Sequence, residues 1–452
     1  MGELSMGAYD VIVVGAGTAG CYASYLLGKG GLKVALLERK GFNDIGYKVC
    51  GDAIGKHHFD NLSLSYPSGE ELDCIFSGVK IYSPDEEHSI IVPGEGFGVN
   101  RKAFGRRLLN MALDVGVDLF SSFHVSKPLV EGGFVVGVEG VDREGHTVQI
   151  KSSVVIDASG FSSIVRSRLP SDWWISEKIR GEDTNICYRE IVETKVDFDT
   201  KYAMIYLSKR IAPGGYWWLF PKRSNVVNVG LGVQPTVNAP NPRVNYMRFI
   251  ASRPEFKGAR VIDSGGGIVP TRRPIYCPVG NGVLAVGDAL AACNPIHGGG
   301  IGPSLISAKH AAEVILEVLE HGSPSMDNLW SYCLRYISDY GLKQSSLDLF
   351  RMFLQKLSDD DLNFAFKQNV ISGDDVDRIG RVGELNLGVV GKVGRALKLI
   401  SRPSLLYKLK VVVDYMGKIK ALYGEYPRDP KGFPAWRDRV EKLICEFMEH
   451  IS

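Results

Sequence analysis

The sequence has no closely paired cysteines. Its eight cysteines stand at 21, 50, 74, 187, 277, 293, 333 and 445, with no two closer than 16 residues. The absence of CxxC argues against zinc ribbons and the common iron–sulfur arrangements, so no metal is expected, while the oxidation state of the cysteines stays open. Long apolar runs are missing too. The first, Val11 to Val14, stops at a glycine loop, and none reaches the roughly 18 residues a spanning helix needs. Nothing resembles a signal peptide, so a soluble, cytoplasmic protein is expected. A net charge of +2 over 452 residues gives no polycation, which argues against nucleic acid as a partner. Repeats and low-complexity tracts are absent. What remains is an ordinary globular balance, 45% apolar and 23% charged, long enough for two or three packed lobes.

The pattern opens with a βαβ unit. Tyr9 to Val14 is short, β-branched and ended by glycine, Ala19 to Lys29 is helical, and Leu32 to Glu38 is a second strand. Between them, Gly15-Ala16-Gly17-Thr18-Ala19-Gly20 is GxGxxG. Gly15 permits the tight turn, Gly17 lets a pyrophosphate approach the backbone, and Gly20 lets helix and strand pack closely. The helix start offers free N–H groups to that pyrophosphate. Glu38, followed by Arg39, ends the second strand 18 residues after Gly20, where it can accept from a ribose hydroxyl. A glycine-rich excursion fills 40–60, and Lys102 to Gly116 is helical. A hairpin turns at Asp142 to Gly145, before a separate buried strand, Val154 to Asp157. Antiparallel strands follow from about 165 to 275, and helices dominate from 325.

Far downstream, Leu284-Ala-Val-Gly287-Asp288-Ala-Leu290 leads into Asn294-Pro295-Ile-His297-Gly298-Gly299-Gly300-Ile301-Gly302 and a helix. With these segments the chain resembles the glutathione-reductase-like FAD superfamily, in its p-hydroxybenzoate-hydroxylase branch. The resemblance implies FAD, with Asp288 on the ribityl chain and the glycine-rich helix start against the flavin, where a helix N-terminus favours negative charge. It implies cofactor contacts around Asp157-Ala-Ser-Gly160, where the branch usually has Asp-Gly, and at Arg101, which from the residues alone reads equally as a solvated surface arginine. The expected fold class is α/β, α+β over the whole chain. A Rossmann-like FAD-binding domain (1–165 and 276–322) joins an antiparallel-sheet substrate domain (166–275) and a C-terminal helical region (323–452).

Three more strings narrow the resemblance: Lys48-Val-Cys50-Gly51-Asp-Ala-Ile-Gly55; Gly214-Gly-Tyr216-Trp-Trp218-Leu-Phe220-Pro221 with Val229-Gly-Leu-Gly232; and Pro270-Thr-Arg-Arg-Pro274. Together the chain is similar to the geranylgeranyl reductases along nearly its whole length, and most to the archaeal enzymes acting on digeranylgeranylglycerophospholipids. Geranylgeranyl diphosphate is a further candidate substrate. Tyr216, Trp218 and Phe220 share one strand face; periodicity alone reads them as sandwich core or as tunnel lining, and the resemblance makes them the wall of a prenyl tunnel. It sets Cys50 and Gly51 beside the flavin, with Cys50, Tyr216 and His297 as candidate proton sources; from the residues alone, Cys50 reads equally as a buried hydrophobe and His297 as a cap on its turn. His57 and His58 are expected at the surface. Gly391 to Gly424 carries Lys392, Arg395, Lys398, Arg402, Lys408, Lys410, Lys418 and Lys420 against Asp414 alone, which suits either a solvated helix or peripheral contact with the inner face of a membrane. The electron donor stays open between a ferredoxin-like protein and NAD(P)H, since one dinucleotide fingerprint is present. Two other functions share this pattern: a flavin monooxygenase, and a non-enzymatic prenyl-binding carrier.

Overall fold

A computed structural model describes residues 4–236, 238–385 and 401–451. Among them, strands build two eight-stranded sheets. The first runs in the order Val279–Gly280, Val283–Ala285, Thr147–Asp157, Leu4–Val14, Val34–Glu38, Asp118–Ser121. Phe134–Val141 pairs with Thr147–Asp157, and His124–Glu131 pairs with Phe134–Val141. The central strands pair in parallel. Their aliphatic runs, Val11 to Val14 and Val34 to Leu37, are buried throughout, as strands covered on both faces must be. Thr18–Lys29 and Ile301–His321 pack against each other on this sheet. Thr147–Asp157 is one strand where the sequence suggested two pieces. Its first half alternates in burial and its second half is buried continuously, so one strand carries two patterns.

The second sheet runs Arg260–Pro270, Thr184–Glu193, Val226–Val233, Trp217–Arg223, Tyr202–Tyr206, Leu72–Tyr82, Ser89–Val99, Ala53–Gly55. It is antiparallel except where Tyr202–Tyr206 lies parallel to Leu72–Tyr82. Three of its strands fall between 53 and 99, inside the span 1–165 assigned above to the FAD-binding domain. The glycine-rich excursion therefore crosses from one sheet to the other. Trp217 and Leu219 point into a core with Tyr206, Val229 and Tyr246, while Trp218 and Phe220 face the opposite way, into the cavity described below.

The C-terminal helices pack against both sheets. Met326–Tyr336 continues through a π-helical turn, Ile337–Gly341, into Leu342–Lys356. Pro403–Gly424 packs on the last of these. Among the described residues no helix is long and apolar enough to cross a membrane. Of the basic stretch, Lys392, Arg395 and Lys398 lie outside the described residues. Arg402 pairs with Asp361, Lys418 with Asp414 and Lys420 with Glu384, so much of its charge is engaged within the fold.

A buried ionic knot joins these helices to the turn at Thr271 to Pro274. Asp348, fully buried, accepts from Arg273 Nη1 at 2.8 Å, Arg351 Nη2 at 2.7 Å and Arg351 Nε at 2.9 Å. Arg272 reaches Glu177 at 2.7 Å. The arginines of the Pro270-Thr-Arg-Arg-Pro274 string are thus architectural. Burial opposes ionisation of Asp348, yet Arg351 and Arg273 hold its carboxyl below the usual range. Its stabilising contribution is present above an ordinary carboxylate pKa of about 3.9 and fades as the pH falls below it. Asp348→Ala should cost about 3–5 kcal/mol, because the Arg273 guanidinium stays buried without its carboxylate while Arg351 keeps only Asp183. Chemical denaturation midpoints at neutral pH check this, with Asp348→Asn expected to lose less.

Candidate functional site

The glycine loop is shaped by close backbone approach. Gly15 takes φ +109°, and a Cβ there would sit 2.5 Å from the Ala158 carbonyl oxygen. A Cβ on Gly20 would collide with the Gly15 carbonyl, whereas one on Gly17 would meet nothing within 4 Å. The space beside Gly17 is therefore open, at the start of a helix that no side chain caps. Glu38, at the end of its strand, accepts from Ala16 N at 2.8 Å and Lys40 N at 2.9 Å, which fixes the loop to the strand end. Arg101 is buried rather than solvated: Nη2 donates to Thr18 Oγ1 at 2.5 Å, while Nε and Nη1 have no acceptor. Unpaired guanidinium N–H groups beside an open glycine loop fit the pyrophosphate of a dinucleotide.

The downstream segment meets this loop from the other side. Asp288 accepts from Lys48 Nζ at 2.9 Å, and the carboxylate holds the Lys48 pKa up. Gly298 takes φ +64°, and Gly299 N donates to His297 Nδ1 at 3.1 Å. His297 thus caps its own turn and keeps its other nitrogen protonated. The Ile301–His321 helix, like the first, has no side-chain cap.

The Cys50 loop is tied to the second sheet by groups the sequence reading missed. Asn228, fully buried, accepts from Trp218 Nε1 at 3.0 Å and donates to the Cys50 carbonyl at 2.8 Å and to Asp52 Oδ2 at 3.0 Å. Asp52, at φ +61°, also faces Lys222 at 3.3 Å, and Lys222 reaches Asp73 at 2.6 Å. Burial raises the Asp52 pKa against the pull of Lys222. Only the position of Asn228 two residues before Gly230 on an otherwise apolar strand hinted at such a role.

A single cavity of about 1500 Å³ runs from the glycine loop to the C-terminal helices. Gly15, Ala16, Gly17, Ala19, Glu38, Arg39, Arg101, Gly160, Gly287 and Asp288 line one stretch. Cys50, Gly51, Tyr216, Trp218 and Phe220 line the next, with Pro295 and His297 to Gly302. Two expected site residues lie outside the lining. Gly20 serves helix–strand packing. Asp157 is fully buried and spends its oxygens on Ser159 N, Ser159 Oγ, Val165 N and Arg166 N at 2.5–3.1 Å, shaping the turn behind the cavity. Nor is His58 a surface residue: its ring packs against Gly302 and lines the cavity. Tyr216 donates its hydroxyl to the His297 carbonyl at 2.6 Å. Burial pushes its pKa far up, raises that of Cys50, and lowers that of His297 to about 4.

This geometry predicts that Gly17→Val fills the space reserved for a phosphate. The variant should fold but purify with little flavin, read as visible absorbance per polypeptide against the wild type. Full flavin content would move the cofactor elsewhere.

Residues 183–269 match the family model described as the geranylgeranyl reductase catalytic domain, and residues 10–63 that of glucose inhibited division protein A. The chain is 41% identical to the digeranylgeranylglycerophospholipid reductase of Sulfolobus acidocaldarius, over 98% of this chain and 99% of that one. It is 31% identical to the enzyme of that name from Methanothrix thermoacetophila, over 84% and 95%. Among solved structures, a geranylgeranyl bacteriochlorophyll reductase-like protein from Thermoplasma acidophilum superposes with a TM-score of 0.76 at 25% identity, covering 90% and 99%. A flavin-dependent brominase shares the fold at TM-score 0.66 and 20% identity, covering 87% and 100%. From its identity to these relatives along almost its full length, the chain belongs to the digeranylgeranylglycerophospholipid reductase family.

Proposed function

We propose that the protein is an FAD-dependent reductase that saturates isolated carbon–carbon double bonds in geranylgeranyl chains of archaeal-type membrane lipids. The observation that carries this reading is the continuity of the cavity. Its volume of about 1500 Å³ exceeds the roughly 300–1,000 Å³ of an ordinary ligand pocket, so a long second ligand can lie beside a dinucleotide. The open backbone at Gly17 and the unpaired N–H groups of Arg101 support pyrophosphate binding. Glu38 and Arg39 are assigned to the adenosine end, and Asp288 with Gly298 to Gly302 to the flavin end.

An isolated alkene has no carbonyl to take up charge, so saturation joins a hydride to one carbon and a proton to the other. Reduced FAD supplies the hydride, and the proton comes from the chain or a water it holds. The aromatic wall of Tyr216, Trp218 and Phe220 keeps the alkene dry and aligned. Tyr216 has already given its hydrogen bond to the His297 carbonyl, and His297, lowered to about 4, is neutral at neutral pH. Cys50 keeps its thiol proton, its pKa raised by burial and by Asp52, and the residue lines the cavity. We assign the proton to Cys50, whose thiolate, disfavoured by burial, regains a proton from water before the next saturation.

Incubating a geranylgeranyl lipid with anaerobically reduced protein should give products heavier by about two mass units per double bond, read by mass spectrometry. An unchanged lipid with a flavin that stays reduced would sink the proposal. Cys50→Ala should retain FAD but slow alkene saturation by about 10²-fold or more, with flavin reduction itself nearly unaffected. Equal turnover of both proteins would return Cys50 to a packing role.

A further inference from the structure

Three charged side chains meet beside Cys50, and each is delivered there by a break in regular backbone. Asp52 takes φ +61°, a conformation that residues other than glycine hold when their surroundings impose it, and one that gathers at functional sites. Lys222 is the extra residue of a bulge between Pro221 and Arg223. Asp73 is the extra residue of another, between Leu72 and Cys74. Bulges re-aim side chains and recur next to active sites. The result is a line of charges: Lys222 Nζ lies 3.3 Å from Asp52 Oδ2 and 2.6 Å from Asp73 Oδ2.

The line has two unlike ends. Asp52 lines the cavity and is 3% exposed. Its main-chain N–H donates to the Cys50 sulfur, and its Oδ1 is buried without a partner. Lys222 and Asp73 do not line the cavity, yet each side chain keeps 12% of its surface exposed, so they meet solvent elsewhere. Two carboxylates on one ammonium leave a negative charge in excess. Lys222 first, then Arg189 and Arg101, draw the Asp52 carboxyl toward ionisation, while burial, the larger effect, favours its neutral form. One carboxylate would suffice to neutralise Lys222; the second gives the cluster room for one exchangeable proton.

Resting on the assignment of the alkene proton to Cys50, we propose that Asp73, Lys222 and Asp52 form the relay that returns a proton from solvent to the Cys50 thiolate. The Asp52 carboxyl gives its proton to the sulfur, its O–H bond breaking as the S–H bond forms. The Lys222 ammonium refills Asp52, and Asp73, protonated from solvent, refills Lys222. One proton enters for each carbon–carbon double bond saturated, and the cluster ends each cycle with the charge it began with. The thiol is thereby recharged from outside the chamber while the chamber stays dry.

The test follows wild type, Asp52→Asn and Asp73→Asn at matched FAD occupancy, anaerobically and with excess chemical reductant, by rapid quench and mass spectrometry of digeranylgeranylglyceryl phosphate. Each Asn keeps an oxygen that can accept from Lys222 but cannot carry the proton. Both variants should saturate about one bond per flavin at close to the wild-type rate, drawing on the thiol proton already present, and then slow by about 10²-fold. The flavin should stay reduced through the slow phase, which assigns the delay to the proton and not to the electrons. Uniform slowing from the first bond onward, or a wild-type steady rate in Asp73→Asn, would overturn the relay. Asp73→Asn decides the matter if Asp52→Asn does not fold. A Cys50→Ala protein that saturates the lipid as fast as wild type would instead sink the assignment to Cys50, and a wild type that saturates nothing would sink the reductase reading itself.

Discussion

The side-chain amide of Asn228 holds the site in register. It touches the indole of Trp218, the carbonyl of Cys50 and the carboxylate of Asp52 at once, and it is fully buried. A buried amide left unbonded costs free energy, so these three partners are over-determined together. The consequence is geometric. The Cys50 loop leaves the first sheet after Glu38 and ends as a strand, Ala53–Gly55, of the second. From the neighbouring strand, Asn228 pins the end of that crossing to Trp218. The wall of the chamber and the thiol facing it therefore move as one body.

Burial dominates the protonation chemistry of this chamber. It raises the pKa values of Tyr216, Cys50, Cys187 and Cys293 and lowers that of His297. Every one of these shifts favours the uncharged form. Charges in the lining near these groups are paired, Lys48 with Asp288 and Arg189 with Asp263, so the thiols and the phenol between them stay neutral, which suits a hydrocarbon.

Local chemistry was legible in the sequence. Gly15 to Gly20 and Glu38 announce themselves because a tight turn, a close approach and a strand-ending acid are all encoded within one βαβ unit. The aromatic alternation at Tyr216 to Phe220 separates two faces, though only the family resemblance pointed to one of them as a cavity wall. The strands Leu72–Tyr82 and Ser89–Val99 were missed, since half-exposed residues, Pro93 and Gly94 blur their period. Arg272 and Arg273 look like part of a substrate motif, but their partners Glu177 and Asp348 lie 95 and 75 residues away. Lys48 and His58 are unremarkable in sequence; their meaning comes from what the fold sets beside them. Asp157 and Gly20 show the converse, motif residues whose work is to shape the loops behind the cavity.

The first sheet is assembled from distant parts of the chain. Val283–Ala285 pairs with Val155 to Asp157, and Asp288 and the Gly298 to Gly302 turn follow directly. At ribosomal speeds of roughly 5–20 residues per second, the glycine loop emerges on the order of tens of seconds before the segment that completes the flavin end. Once Thr147–Asp157 is made, Phe134–Val141 covers Thr147 to Lys151, but Val155 to Asp157 lacks its neighbour until residue 283 follows, a short open edge that invites intermolecular pairing. Cofactor capture is thus a late step of biosynthesis, and a nascent chain stalled before residue 283 carries half a binding site and an open sheet.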